Sequence, residues 1–131
     1  MESSGGGFSN AQLAIGYAND AVRWLSIAGR RDYLPISLLF RSWLRFLTGA
    51  RTGPDSAQAD LDEAWEIAER GPMRLFQADI RLHRARLFFR EPEYPWESPA
   101  ADLAAAETLI NTCGYHRRDE ELADAKRAIL G

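Results

Sequence analysis

Three groups of residues in this sequence have types and spacings that chemistry can use. Cys113, His116 and Asp119 form a C-x-x-H-x-x-D string, the spacing of a zinc half-site or of a thiol beside its base. Zinc normally takes four ligands, and the chain holds no second Cys or His pair. A thiol nucleophile also needs a preorganised oxyanion site, which no segment here supplies. The string therefore reads as a helix end, with Cys113 a small core residue, Tyr115 packing, and His116, Arg117 and Arg118 dressing the turn. Asp79 and His83 stand four residues apart and offer a general acid–base pair. No nucleophile or glycine-rich pocket loop accompanies them. Asp79 is then expected to be a packed ion pair, with Arg86 of its own helix or Arg41 of a neighbour. Gly5-Gly6-Gly7 lacks the Lys-Ser or Lys-Thr that a phosphate loop requires. Catalytic residues, cofactors and metals are not expected.

Arginines form the third group. At about 100° per residue, Arg74, Gln77, Arg81, Arg84 and Phe88 share one helical stripe. Ser37, Arg41, Arg45 and Thr48 share another. Forked guanidinium groups in such rows grip carboxylates or phosphates. For the first of these stripes the competing reading is a solvated face, or salt bridges to the acidic segment holding Asp55, Asp60, Asp62, Glu63, Glu66 and Glu69.

Six helices must position these groups. The first runs from about Ser9 to Ala28 and stops at Gly29, behind a flexible glycine-containing tail over residues 1–8. The second starts at Pro35 and stops near Gly49. Asp55 opens the third, with Gln58 completing a capping box, and Gly71 ends it. The fourth starts at Pro72 and reaches about Phe89. Ser98 caps the fifth, Pro99 takes its first position, and it stops before Gly114. Asp119 caps the sixth, with Glu120 and Glu121 at the positive end of its dipole.

The chain has 131 residues, 46% of them hydrophobic and 27% charged, which suits one domain, residues 9–131, with a modest core. Such a composition excludes a disordered chain, and no apolar run is long enough for a membrane span. One cysteine makes no internal disulfide, so a reducing, cytoplasmic setting is expected. A net charge of −3 gives no general attraction to nucleic acid.

The odd-numbered helices repeat. Ala21, Ala64 and Ala106 are spaced by 43 and 42 residues, and Trp24, Ile67 and Leu109 keep the same spacings. A small residue where helices cross and a glycine that stops each helix are what stacked helix pairs need. The expected fold is all-α, a short solenoid of three antiparallel helix pairs. Several runs also resemble a known family: Leu34-Pro35-x-x-Leu38-Leu39-x-Arg41, Asp60-Leu61-Asp62-Glu63-Ala64-x-Glu66-Ile67-Ala68-Glu69-Arg70-Gly71, Met73-Arg74-Leu75-x-x-Ala78-Asp79, and Gly114-Tyr115-His116-Arg117-Arg118-Asp119-x-Glu121-Leu122-Ala123. Together they are similar to the tetratricopeptide-like C-terminal repeats of bacterial signalling proteins of the NACHT/STAND type, over roughly residues 20 to 125. Trp43 stands where that pattern has a small residue, and the chain lacks a Walker motif. The resemblance implies a binding or signal-relay scaffold rather than a catalyst.

The expected role is therefore an adaptor or regulatory module for a protein or peptide partner. Arg41, Arg45, Arg74, Arg81 and Arg84 are the expected polar contacts, and Trp96 the aromatic anchor. Tyr94 and Trp96 have a competing reading as a cover over the core between the fourth and fifth helices. The first helix carries an apolar arc of roughly 200° that includes Leu13, Ile15 and Val22. It offers an alternative, a homodimer or capping surface. A nucleic-acid-binding repeat ranks lower, because the chain is acidic and lacks repeated base-reading side chains.

Overall fold

The computed structural model describes residues 10–30, 33–71 and 73–131. The tail expected over residues 1–8, Ser9, and Pro72 as opener of the fourth helix lie outside them. Six helices follow in order: α1 (Asn10–Ile27), α2 (Leu34–Leu47), α3 (Ala57–Arg70), α4 (Arg74–Phe88), α5 (Pro99–Cys113) and α6 (Asp119–Leu130). A 3-10 turn (His116–Arg118) leads into α6. The protein is all-α, with no strand among the described residues, as its hydrophobic spacing predicts. Among these residues no helix is long and apolar enough to cross a membrane.

Local chemistry sets the helix ends. Ser98 has an extended backbone, and its hydroxyl accepts the Ala101 N–H at 3.0 Å, with Pro99 at the first helical position. Gly114 closes α5 in the left-handed region, at φ 69°, which a side chain would resist. Two expected caps are corrected. Asp55 does not open α3; it takes a left-handed φ of 52°, and Ser56 accepts the Ala59 N–H at 3.1 Å instead. Asp119 is already helical, its carboxylate facing His116 Nδ1 at 3.1 Å, and α6 begins without a side-chain cap.

The chain divides into two compact units, the first ending at Asp60 and the second starting at Leu61, so the boundary falls within α3. In the first unit α1 packs with α2. Ala18 and Val22 are buried on α1, and Leu34, Leu38, Leu39 and Leu44 on α2. In the second unit α4, α5 and α6 pack with one another. Their core joins Ala78, Leu82 and Ala85 to Leu103, Ala106 and Ile110, closed by Leu122 and Ala125. Alanines at these positions let helix axes approach closely. The repeat positions Ala64 and Ala106 are buried and their first-helix counterpart Ala21 is half-buried; Ile67 is buried, but its first-helix counterpart Trp24 is exposed.

Replacing Ser98 by Ala is expected to lower stability by about 1 kcal/mol, and by Gly only a few tenths. Urea unfolding of the two variants checks this; equal losses would deny the hydroxyl its capping role.

Candidate functional site

α3 and α5 each begin with a serine cap and carry an aspartate four residues later, Asp60 and Asp102, both almost fully buried. A carboxylate so placed has lost its water and must gain donors. In the first unit Arg41 and Arg45, one turn apart on α2, supply them. Arg41 grips Asp60 through Nε at 3.1 Å and Nη2 at 2.7 Å, and Arg45 Nη1 reaches it at 3.0 Å. Asn19 of α1 accepts from Arg41 Nη1 at 3.0 Å, tying the first helix into the cluster.

In the second unit Asp102 draws on α4. Arg81 Nη1 donates to it at 3.0 Å, and Arg84 Nη1 forms an ion pair at 3.6 Å. The Tyr94 hydroxyl donates to its other oxygen at 2.5 Å. Burial and the adjoining Asp102 charge hold the Tyr94 phenol well above its ordinary range. Arg84 is buried between two indoles, 4.9 Å from the Trp65 ring and 4.8 Å from the Trp96 ring, with Arg81 over Trp65 at 4.6 Å. The Nε–H groups of Arg81 and Arg84 are buried without a hydrogen bond, so the indole faces are what meet these cations there. Burial lowers the Arg84 pKa, and Asp102 opposes that effect.

Asp79 anchors a third cluster. It is buried, as the apolar side of α4 suggests, but its partner is neither Arg86 nor Arg41. Arg118 of the 3-10 turn donates Nε to it at 2.9 Å, and the Tyr115 hydroxyl lies at 3.5 Å. Arg118 thus ties the turn to α4, while also reaching Glu121 at 2.9 Å. Its bond to Asp79 raises its own pKa. His83 Nδ1 donates to the Asp79 backbone oxygen at 3.0 Å, not to the carboxylate, and burial lowers its pKa. An acid–base pair needs the two functional groups to share a proton, and here they do not face one another. Cys113 is exposed rather than part of the core.

Of the expected contact residues, Arg41, Arg45, Arg81 and Arg84 are therefore turned to buried carboxylates, while Arg74 is exposed at the start of α4. For Arg81 and Arg84 the pairing acid lies on α5, not on the acidic third helix. Trp96 covers the core: its ring meets Phe88 edge-on at 5.0 Å and Tyr94 at 5.4 Å, and its N–H donates to Asp62 at 2.8 Å. On α1, Leu13 is exposed, Ile15 half-buried and Val22 buried against α2, so Val22 is no part of an outer surface. The outward row on α1 is Leu13, Tyr17, Trp24 and Ile27, and a second row on α2 holds Ile36, Phe40, Trp43 and Leu47. The bulky Trp43 belongs to that outward row, 6.2 Å from Phe40, and fills no helix crossing.

The sequence pairs Asp60 with Asp102 as repeat counterparts and places Asp60 in an acidic helix, but does not single out either as a buried acceptor, although a fuller signal is present. Ser56-x-x-Ala59-Asp60-Leu61 recurs as Ser98-x-x-Ala101-Asp102-Leu103 after 42 residues, each preceded by two arginines one turn apart. No protein-family model, curated protein or solved structure matches the chain.

Replacing Asp102 by Ala strands Arg81 and Arg84 and should cost about 3–5 kcal/mol. The exposed Asp62→Ala should cost about 1 kcal/mol or less. Equal unfolding midpoints for the two would contradict the cluster. His83 gives a pH signature. Its folded pKa lies below the unfolded value of 6.5, so the unfolded chain takes up the proton first and stability falls with pH below that value. Between about pH 7.5 and about pH 5 the wild type should lose more stability than His83→Gln; parallel losses would refute a buried neutral imidazole.

Proposed function

We propose that this chain is a non-enzymatic protein-recognition module built as a short tetratricopeptide-like helical repeat, acting in the cytoplasm as an adaptor or regulator. The observation that carries the reading is the outward apolar surface of the first unit. Leu13, Tyr17, Trp24 and Ile27 on α1, and Ile36, Phe40, Trp43 and Leu47 on α2, are each more than two-fifths exposed. Soluble monomers rarely leave apolar patches of such extent uncovered, and aromatic side chains of this kind supply most binding energy at interfaces. The intramolecular partners of Arg41, Arg45, Arg81 and Arg84 move the recognition surface from the arginines to these rows. They also weaken the nucleic-acid alternative, which needs those cations for phosphates. The carboxylates most removed from water are likewise committed to structural donors, which supports a scaffold over a catalyst.

An amphipathic helix laid against these apolar rows is the recognition mode that fits. Peptides selected on the wild-type chain from a displayed library of amphipathic helices test it. Trp24→Glu and Trp43→Glu should each weaken the selected peptides by about tenfold or more with the helical content unchanged, and Arg74→Glu should leave them within about twofold. Selected peptides that bind both tryptophan variants as well as the wild type would overturn the reading.

A further inference from the structure

The row on α2 has a symmetry that the row on α1 lacks. Ile36, Phe40, Trp43 and Leu47 follow one another at spacings of four, three and four, and at 100° per residue lie within about 60° of arc. That is the seam spacing of a coiled coil. The order is aliphatic, aromatic, aromatic, aliphatic, so it reads alike in both directions. Two α2 helices laid antiparallel across a two-fold axis would set Ile36 against Leu47 and Phe40 against Trp43, twice over. The exposed seam carries no charge. Arg41 and Arg45 point well away from it, to Asp60, so no like charges are brought together.

α1 fails the same test. Its row, Leu13, Tyr17, Trp24 and Ile27, has Asp20 at the central seam position, exposed and, among the described residues, joined to Arg23 of its own helix at 3.4 Å. A two-fold pairing there would bring the two Asp20 side chains face to face. We propose, resting on the recognition reading above, that the α2 seam is occupied by a second copy of this chain, in an isologous antiparallel dimer. The four side chains expose on the order of 450 Å² per chain, so two copies bury about 900 Å² before any rim is counted. A specific interface must clear about 1,000 Å², so the four seam residues alone provide most of what is needed.

The test is sedimentation velocity on the full chain over a dilution series, with disulfide trapping to fix the register. The expected result is a species of twice the single-chain mass that dissociates on dilution, and that Phe40→Glu with Trp43→Glu reduces to one chain while the circular dichroism stays unchanged. With Cys113→Ser as background, Ile36→Cys mixed with Leu47→Cys should cross-link, and Ile36→Cys alone should not. A dimer trapped by Ile36→Cys alone would overturn the antiparallel arrangement. A monomer at every concentration would overturn the second copy, and oxidative footprinting of Trp43 then separates the two readings. A reactive Trp43 would leave the seam to a different protein and the recognition reading intact. A protected Trp43 in that monomer would show the seam covered by its own chain, and both readings would fall.

Discussion

A carboxylate taken out of water near the start of a helix must be met by cations, and α3 and α5 each carry one. Asp60 and Asp102 lie at equivalent places after equivalent serine caps, and each collects two arginines from the helix before it in the chain. The cost of burying both charges is offset only while all donors stay in place, so the clusters fix which turn of α2 or α4 meets the next helix. Apolar packing alone would not. The α4–α5 contact is rich in alanine, whose small side chains allow sliding by a turn. The Arg84 guanidinium between Trp65 and Trp96 adds the same constraint in another form, because moving it off the indole faces would lose the ring contacts that meet a cation whose Nε–H has no hydrogen bond. Asp79 and Arg118 repeat the device once more, for the turn that leads into α6.

This arrangement explains what was legible in the sequence and what was not. Helix number and most ends follow from local chemistry: Ser98-Pro99 starts α5 and Gly114 stops it, as their backbone preferences dictate. Asp55 looks like a cap by residue type, but the choice between Asp55 and Ser56 rests on one φ angle, which composition does not set. The arginine stripe was visible as periodicity, whereas its partner was not. Asp102 lies 21 residues beyond Arg81, and only packing brings them together. Arg118 reads as a surface residue in a turn of basic residues, and its bond to Asp79 spans 39 positions. Partners at such separations are decided by the folded geometry, so a one-dimensional pattern shows the donors and leaves the acceptors open. The two copies of Ser-x-x-Ala-Asp-Leu are a local sign that Asp60 and Asp102 hold equivalent places.

Electrostatic satisfaction inside the protein leaves recognition to apolar surface. With four of the five stripe arginines facing carboxylates, the groups able to lose water profitably on binding are the outward aromatics and aliphatics of α1 and α2. The two rows divide by chemistry. The uncharged, palindromic seam of α2 suits its own copy, and the row of α1, interrupted by Asp20, suits a surface with a polar match at its centre. On the recognition reading, the outward Trp43 is part of the proposed contact surface rather than of a helix crossing.

The central claim is that the arginines are structural and that the apolar rows, not the cations, face outward from the chain. Residue-resolved reaction of the native chain with an arginine-specific dicarbonyl, read by mass spectrometry, tests it most directly. Arg74 and Arg23 should be modified quickly, while Arg41, Arg45 and Arg84 stay protected until the chain unfolds. Modification of Arg41, Arg45 and Arg84 at the rate of Arg74 in the folded protein would contradict the account and return the recognition surface to the cations.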